Sequence, residues 1–170
     1  MTEKPELNRN QTSSPFQKHL YIMRHASAST GVPDKDRTLT FEGRKQLEDL
    51  SVKALGLFDE VTHVLCSSAT RTRLTCMGLK DILPVRSTNQ FLDTLYNSSA
   101  ETIMEEINLL PDEAGDVLVI AHNPGVSQFL GLITPPINLS IGTAQVAIYD
   151  IQSSHWHNVN FRDCKFREII

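Results

Sequence analysis

Four basic side chains follow apolar runs that predict buried strands, at or just beyond the point where each run ends. They are Arg24, His25, Arg71 and His122. The apolar runs are residues 20–23, 61–66 and 117–121. Arginine presents a planar fork that binds phosphoryl oxygens, and histidine serves as a nucleophile or a proton donor. If these four side chains meet at one place, they suit the chemistry of a phosphoryl group.

Helical patterns lie between the predicted strands and must position those side chains. Thr40 is a suitable N-cap for a helix whose apolar residues recur every three or four positions. Ser67 and Ser68 can cap a second helix over residues 69–79. The pattern of strand, tight turn and helix therefore occurs twice in the first half of the chain.

The rest of the chain continues this alternation of strands and helices. Ser98 and Glu101 form a capping-box signature at the start of a third helix. Residues 84–86 predict a short strand, and residues 143–151 and 155–162 predict a closing hairpin. The alternation favours a three-layer α/β/α sandwich whose central sheet is mostly parallel, with an antiparallel edge.

In a sheet of this kind, ligands collect in the crevice at the carboxyl ends of the strands. All three polar turns that follow the apolar runs are therefore expected at the same rim. The length of 170 residues fits one domain, which we assign to residues 19–170. Residues 1–18 are polar and rich in Asn, Gln, Ser and Pro, and we interpret them as a flexible tail.

The overall composition argues against several classes of protein. The net charge is −4 and no dense basic run occurs, so nucleic acid is not an expected partner. The polar N-terminus lacks the apolar core of a secretory signal, and no apolar run is long enough to span a bilayer. The three widely spaced cysteines, Cys66, Cys76 and Cys164, fit a reducing cytoplasm, where we expect the protein to be located.

Other catalytic and metal-binding patterns fit poorly. Cysteine-dependent phosphatases use Cys-x5-Arg, whereas the spacing from Cys66 to Arg71 is Cys-x4-Arg and that from Cys66 to Arg73 is Cys-x6-Arg. The Walker A, Gly-x-Gly-x-x-Gly and Gly-x-Ser-x-Gly patterns are absent from the sequence. His155 and His157 have strand spacing, but no adjacent carboxylate or cysteine motif supports a metal site.

Four segments together resemble the histidine phosphatase superfamily, and within it the small SixA-like phosphohistidine phosphatases. The segments are Tyr21-Ile22-Met23-Arg24-His25-Ala26, residues 36–43, residues 64–72 and residues 119–124. They correspond in order to the family's strand with Arg-His-Gly or Arg-His-Ala, its Asp-x-Arg-Pro-Leu-Thr-x-x-Gly segment, its Val-x-x-Ser-Pro-x-x-Arg-Ala segment and the strand before its second histidine. The resemblance covers residues 19–165 and implies a phosphoglycerate mutase-like fold.

The resemblance also implies roles for the matched residues. His25 would be the nucleophile that takes the phosphoryl group, and Arg24 and Arg71 would bind its oxygens. His122 would be a fourth donor in the pocket. An imidazole attacks phosphorus only through an unprotonated nitrogen, so we expect the other ring nitrogen of His25 to donate to a backbone carbonyl. Neither a metal nor another cofactor is implied.

Two residues complete the candidate site. Arg37 is expected at the pocket wall or facing the substrate. Relatives that cleave phosphoesters use a mid-chain Glu or Asp as general acid, and Asp93 is the candidate match here. A phosphohistidine releases an imidazole, which leaves more easily than an alkoxide and needs a strong acid less. Ser68 and Thr38 stand where the family has prolines.

The resemblance therefore implies a phosphatase that acts through a phosphohistidine intermediate, with protein phosphohistidine as its expected substrate. The expected partner is a phosphorylated protein such as a histidine-containing phosphotransfer domain, or else a small phosphorylated metabolite. Two alternatives stay open at this point. One is a phosphatase of small phosphoesters, and the other is a catalytically idle module that binds phosphate.

Overall fold

The computed structural model describes residues 18–134 and 139–170. Within these ranges, six strands form one sheet and four helices cover it. The strands are β1 (Lys18–Arg24), β2 (Val61–Ser67), β3 (Thr88–Leu92), β4 (Asp116–Ala121), β5 (Val146–Ile151) and β6 (Cys164–Ile169). The helices are α1 (Phe41–Lys53), α2 (Thr70–Gly78), α3 (Ala100–Asn108) and α4 (Gly125–Ile133). None of the described helices has the length and apolar character needed to cross a membrane.

The sheet is parallel on one side and antiparallel on the other. Its strand order is β3-β2-β4-β1-β5-β6. The first four strands in this order are parallel, whereas β5 pairs antiparallel with β1 and β6 pairs antiparallel with β5. The predicted mixed sheet with an antiparallel edge is confirmed. The carboxyl ends of β2, β4 and β1 consequently lie side by side at one rim.

Two hydrophobic cores, one on each face of the sheet, hold the helices in place. Leu20 and Ile22 of β1 belong to the core that contains buried residues of α3 and α4. Tyr21 and Met23 belong to the core that contains buried residues of α1 and α2. This alternation follows from the two-residue period of a strand, and it produces the three predicted layers.

Strand β1 begins earlier than its apolar run. Lys18, assigned above to the tail, is the first residue of β1, and its ammonium group donates to the carbonyl of Ala114 at 2.6 Å. Residues 1–17, the rest of the predicted tail, lie outside the described residues.

The predicted helix caps are partly correct. Thr40 caps α1 as expected, because its hydroxyl accepts from the amide of Gly43 at 3.0 Å. The prediction that Ser67 or Ser68 caps α2 is wrong, since the N-cap is Ala69 and no side chain caps that helix. The side chain of Ser67 bonds elsewhere, as described below.

The cap of α3 lies one residue later than predicted. Its N-cap is Ser99, whose hydroxyl accepts from the amide of Thr102 at 3.2 Å. Ser98 instead donates its hydroxyl to the carbonyl of Leu95 at 3.3 Å, so the predicted capping box with Glu101 is wrong.

The short strand predicted at residues 84–86 is also wrong. The amide of Ser87 donates to the carbonyl of Pro84 at 2.9 Å, which makes a turn there. The strand beside β2 is β3, whose residues are mostly exposed and whose only apolar side chains are the last two, Phe91 and Leu92.

The closing hairpin was placed too early in the chain. Strand β5 ends at Ile151 as predicted, but residues 155–162 form no strand. Short 3-10 turns occur at Trp156–Asn158 and Phe161–Asp163, and the buried Trp156 donates its indole N–H to the carbonyl of Ala114 at 3.0 Å. The partner of β5 is therefore β6, which follows these turns.

Candidate active site

The predicted basic side chains lie together at the carboxyl rim of the sheet. Arg24 is the last residue of β1 and pairs in register with Ala121, the last residue of β4. His25 and His122 follow those two strands, and their ring centroids are 5.2 Å apart. Arg71 approaches from the first turn of α2. Neighbouring parallel strands therefore bring both histidines to one place from distant parts of the sequence.

The His25 ring is buried and its tautomer is fixed. Nδ1 lies 2.8 Å from the carbonyl oxygen of Ala26 and must donate to it, because a carbonyl only accepts. Burial, with a smaller effect of the nearby Arg71 and Arg24 charges, lowers the pKa of His25 to about 4. The ring is therefore neutral near pH 7, and Nε2 carries a lone pair and no proton. The expected backbone acceptor is present.

Arg71 connects the nucleophile candidate to the loop that follows β1. Its side chain is almost fully buried, and Nε donates to Nε2 of His25 at 3.2 Å. Nη1 donates to the backbone carbonyl of Asp34, and Nη2 donates to the Asp34 carboxylate at 3.0 Å. The guanidinium thus contacts the reactive nitrogen and an anion at the same time.

Arg24 contributes a second guanidinium with spare hydrogen-bonding capacity. Nη1 donates to the carbonyl of Ile141 at 3.1 Å, which fixes the direction of the side chain. Its buried Nε has no partner among the residues that the structure describes. A buried N–H without a partner is rare, and a phosphoryl oxygen is a suitable acceptor for it.

His122 is the most strongly perturbed histidine of the site. Its Nε2 lies 2.7 Å from the hydroxyl of Ser67, and its buried Nδ1 has no partner in the described part of the chain. Burial first, and then the charge of Arg71, lower the pKa of His122 to about 3. The ring of Tyr96 packs against it edge-on, with centroids 5.6 Å apart. His122 is therefore a neutral hydrogen-bonding group.

Known proteins that resemble the chain in sequence carry no assigned activity. No family model matches the chain. An uncharacterized protein of Mycobacterium tuberculosis is 28% identical over 149 residues, which cover 81% of this chain and 91% of that protein. An uncharacterized protein of Mycobacterium leprae is 33% identical over 113 residues, covering 62% of this chain and 66% of that protein.

Solved structures with a similar fold are more informative. A protein of Nakamurella multipartitia assigned as the phosphohistidine phosphatase SixA has a TM-score of 0.79 at 24% identity, covering 90% of this chain and 95% of its own. The protein histidine phosphatase SixA in complex with tungstate has a TM-score of 0.73 at 23% identity, covering 89% and 96%. Phosphoglycerate mutase of Plasmodium falciparum has a TM-score of 0.62 at 19% identity, covering 89% of each chain.

The chain has the phosphoglycerate mutase-like fold of the histidine phosphatases. In this fold, Asp34 is a residue of the candidate site that the sequence did not single out. Its carboxylate contacts Arg71 and also accepts from the hydroxyl of Tyr96 at 2.6 Å and from Arg37 at 3.1 Å. The hydrogen bond from Tyr96, with those from Arg37 and Arg71, holds the pKa of Asp34 well below its usual range. Asp34 is therefore ionised.

Arg37 supports the loop that carries Asp34. Besides its ion pair with Asp34, its Nε donates to the backbone carbonyl of Ser29. These contacts hold the loop in shape, and the position of Arg37 at the pocket wall stays a prediction. Whether it also faces a substrate stays a prediction.

Asp93 lies at the exposed outer rim. Its side chain is 78% exposed, pairs with the ammonium of Lys35 at 2.7 Å and accepts from the hydroxyl of Ser68. The hydrogen bond from Lys35 is the main reason that the pKa of Asp93 lies below its usual value. A carboxylate in that state holds no proton to donate. The role of general acid stays a prediction that this arrangement does not support.

Two histidines outside the site meet each other but form no metal centre. The rings of His155 and His157 are 5.5 Å apart, and Nδ1 of His157 lies 2.9 Å from the carboxylate of Asp112. Across residues 18–134 and 139–170, no group of three or more His, Cys, Asp or Glu side chains is arranged to hold a metal ion.

Proposed function

We propose that the protein is a phosphatase that hydrolyses a phosphoryl group through a phosphohistidine intermediate at His25. The observation that carries the proposal is the state of that ring. Its Nδ1 donates to a backbone carbonyl, and its neutral Nε2 lies within hydrogen-bond distance of Arg71. A neutral, oriented imidazole beside a guanidinium is a nucleophile placed next to a binder of phosphoryl oxygens.

In the first step, Nε2 of His25 attacks phosphorus while the bond to the leaving group breaks. Before the attack, the N–H of Arg71 that points at Nε2 turns to a phosphoryl oxygen of the bound substrate, which frees the lone pair. The leaving group takes up a proton from solvent as the bond to phosphorus breaks. Arg24 and His122 supply further donors, because each has a buried nitrogen without another partner in the described structure. These donors neutralise charge that spreads over the phosphoryl oxygens as the bond breaks.

In the second step, water attacks the phosphorus of phospho-His25 and the P–N bond breaks. Inorganic phosphate leaves and Nε2 regains its lone pair, so the enzyme returns to its starting state. The water proton remains with the phosphate and the solvent. Splitting the hydrolysis in this way replaces one difficult displacement with two easier ones.

We infer that the substrate is phosphohistidine in a protein, such as a phosphorylated histidine-containing phosphotransfer domain. Asp34, which pairs with Arg71, and Asp93, the candidate general acid, both have lowered pKa values and are ionised. Neither is suited to protonate an alkoxide leaving group, whereas an imidazole leaves with less assistance. The fold similarity to SixA proteins is consistent with this substrate.

The direct test is the His25→Ala variant, assayed with an aryl phosphate and with a phosphorylated histidine-containing domain. We expect turnover to be abolished on both, with the thermal unfolding midpoint retained. Rapid quench of the wild-type protein with labelled substrate should trap an acid-labile label on the protein. Undiminished turnover in His25→Ala, or an acid-stable adduct, would overturn the proposal.

A phosphatase of small phosphoesters is a second candidate, because proteins named as such share the fold. Mycobacterial glucosyl-3-phosphoglycerate phosphatase has a TM-score of 0.63 at 14% identity, covering 88% of this chain and 96% of its own. Comparing kcat/KM on a panel of sugar phosphates with that on phosphohistidine protein separates the two. Binding of vanadate without turnover of any phosphorylated substrate would instead indicate an idle phosphate-binding module.

A further inference from the structure

Ser67 is a buried hydroxyl for which the mechanism above has no step. It is the last residue of β2 and is fully buried. Its Oγ lies 2.7 Å from Nε2 of His122. The amide of Ala69 also donates to this Oγ, through a long contact of 3.5 Å. The role predicted above for the Ser67 side chain itself, a helix cap, is not the one it has in the structure.

The single proton of the Ser67 hydroxyl has one destination among the described residues. Ala69 offers an N–H, which cannot accept a hydrogen bond. Nε2 of His122 is the other group within reach, and it can accept if it carries no proton. A buried O–H that found no acceptor would be destabilising, so the hydroxyl donates to Nε2.

The direction of this hydrogen bond determines the tautomer of His122. The low pKa of His122, about 3, keeps the ring neutral near pH 7, so it carries only one N–H. With Nε2 accepting from Ser67, that N–H is on Nδ1, the buried nitrogen that has no partner in the described chain. In the opposite tautomer, the Ser67 proton would lack an acceptor and Nδ1 would present a lone pair, which repels an anion.

We propose that Ser67 is a positioning residue that holds His122 in the Nδ1–H tautomer, so that a neutral ring donates to a phosphoryl oxygen. The identity of this acceptor rests on the proposed function, whereas the tautomer does not. A neutral donor has an advantage in this pocket. It binds the oxygen without adding a third positive charge beside Arg24 and Arg71, whose charges already disfavour protonation of both histidines.

The tautomer can be measured directly on the full-length protein. Two-bond ¹H–¹⁵N correlation spectra of protein labelled with ¹⁵N-histidine distinguish the two tautomers near pH 7, and His122→Gln identifies the His122 signals. We expect the Nδ1–H pattern for His122. A predominant Nε2–H pattern in the wild-type protein would overturn the proposal.

A matched pair of variants isolates the hydroxyl from the packing around it. Ser67→Thr and Ser67→Val place side chains of nearly the same shape at position 67, and only the threonine can donate to Nε2. We expect Ser67→Val to show both His122 tautomers, to bind vanadate about tenfold more weakly and to have a lower kcat. Ser67→Thr should restore the Nδ1–H tautomer and vanadate binding relative to Ser67→Val. Ser51→Ala, which removes a hydroxyl bonded to Leu47 in α1, should leave all three readouts unchanged.

The outcomes separate this inference from the proposed function. If His122 is Nδ1–H and vanadate affinity depends on the hydroxyl at position 67, the inference stands even when no substrate is turned over. If the threonine and valine variants share one tautomer and one vanadate affinity, the inference fails, even when His25 proves essential for turnover.

Discussion

Arg71 is expected to act through the shape of its guanidinium and not only through its charge. Lysine keeps the charge but cannot place separate N–H groups on the His25 nitrogen and on a phosphoryl oxygen. We therefore expect Arg71→Lys to lower kcat/KM by about 10² to 10³. Steady-state kinetics with an aryl phosphate measure this effect.

Arg73 provides the matched control on the same helix. Its guanidinium packs over the ring of Phe91 at 4.4 Å and donates to the backbone of Ser68, away from His25. Arg73→Lys should keep kcat/KM close to the wild-type value. Equal losses in Arg71→Lys and Arg73→Lys would mean that net charge near the site, and not the fork of Arg71, determines the rate.

The four basic residues of the site could be predicted from the sequence because each follows a recognisable strand. Asp34 could not, because an aspartate in a loop is ordinary turn chemistry until the fold turns it toward a guanidinium. The position of Ser67 between a strand and a helix could be predicted, but its contact with His122 could not. A serine before a helix predicts a cap, and only the packing of β2 beside β4 shows that its hydroxyl meets His122.

The loop between β1 and α1 places the carboxylate of Asp34 against the guanidinium of Arg71. A phosphoryl group that binds Arg71 competes for the guanidinium with the Asp34 carboxylate, which Tyr96 also holds, and we expect it to displace that carboxylate in part. We expect Asp34→Asn to bind vanadate about tenfold more tightly, because the amide competes less well for a guanidinium. Titration of the full-length protein with vanadate measures the change.

Asp36→Asn is the control for this loop, since it removes the same charge two residues away on an exposed position. A smaller gain in vanadate affinity is expected there, through general electrostatics alone. Weaker vanadate binding in Asp34→Asn would contradict the displacement and would indicate that Asp34 aligns Arg71 for its ligand.

Helix α4 contains two glycines with opposite surroundings. A Cβ on Gly125 would lie 2.1 Å from the carbonyl oxygen of Ser98, whereas one on Gly131 would meet nothing within 4 Å. We expect Gly125→Ala to lower the free energy of unfolding by about 1–3 kcal/mol. Gly131→Ala should raise it by about 0.5–1 kcal/mol, because alanine favours the helix. Urea denaturation measures both, and a stable Gly125→Ala would contradict the close approach of α4 to Ser98.

The positions of strands that contain an apolar run could be predicted better than those of strands that do not. Strands β1, β2 and β4 are largely buried on both faces, and each contains a run of consecutive apolar residues. Strand β3 lies at the sheet edge, begins with three exposed polar residues and has no apolar alternation, so its position depends on pairing with β2 rather than on composition. The start of β6 could not be predicted, because it follows a 3-10 turn at Phe161–Asp163 that Asn160 caps.

The whole molecule should lose stability as the two buried site histidines are forced to protonate. The pKa of His25 falls from 6.5 to about 4 on folding, and that of His122 falls to about 3. Below about pH 6.5 the unfolded chain binds more protons than the folded one, so the free energy of unfolding decreases as pH falls. Each histidine contributes about 1.4 kcal/mol per pH unit until its folded pKa is reached.

Urea denaturation at a series of pH values between neutrality and the folded pKa of His25 measures this slope. We expect His25→Asn to reduce the pH dependence of the unfolding free energy by about 1.4 kcal/mol per pH unit, which corresponds to one proton, since asparagine does not titrate. An unchanged slope in the variant would show that His25 is not held neutral in the folded protein.

The position of β1 between β4 and β5 has a consequence for when the site can exist. β1 is the first described strand in the sequence, yet its sheet neighbours are β4 and β5, which are made much later. A growing chain therefore carries Arg24 and His25 long before His122 can join them. Such long-range pairing is slow compared with local helix formation. We therefore expect phosphoryl-transfer activity to appear only late in folding. Fragments of the chain that stop before β4 should have no such activity.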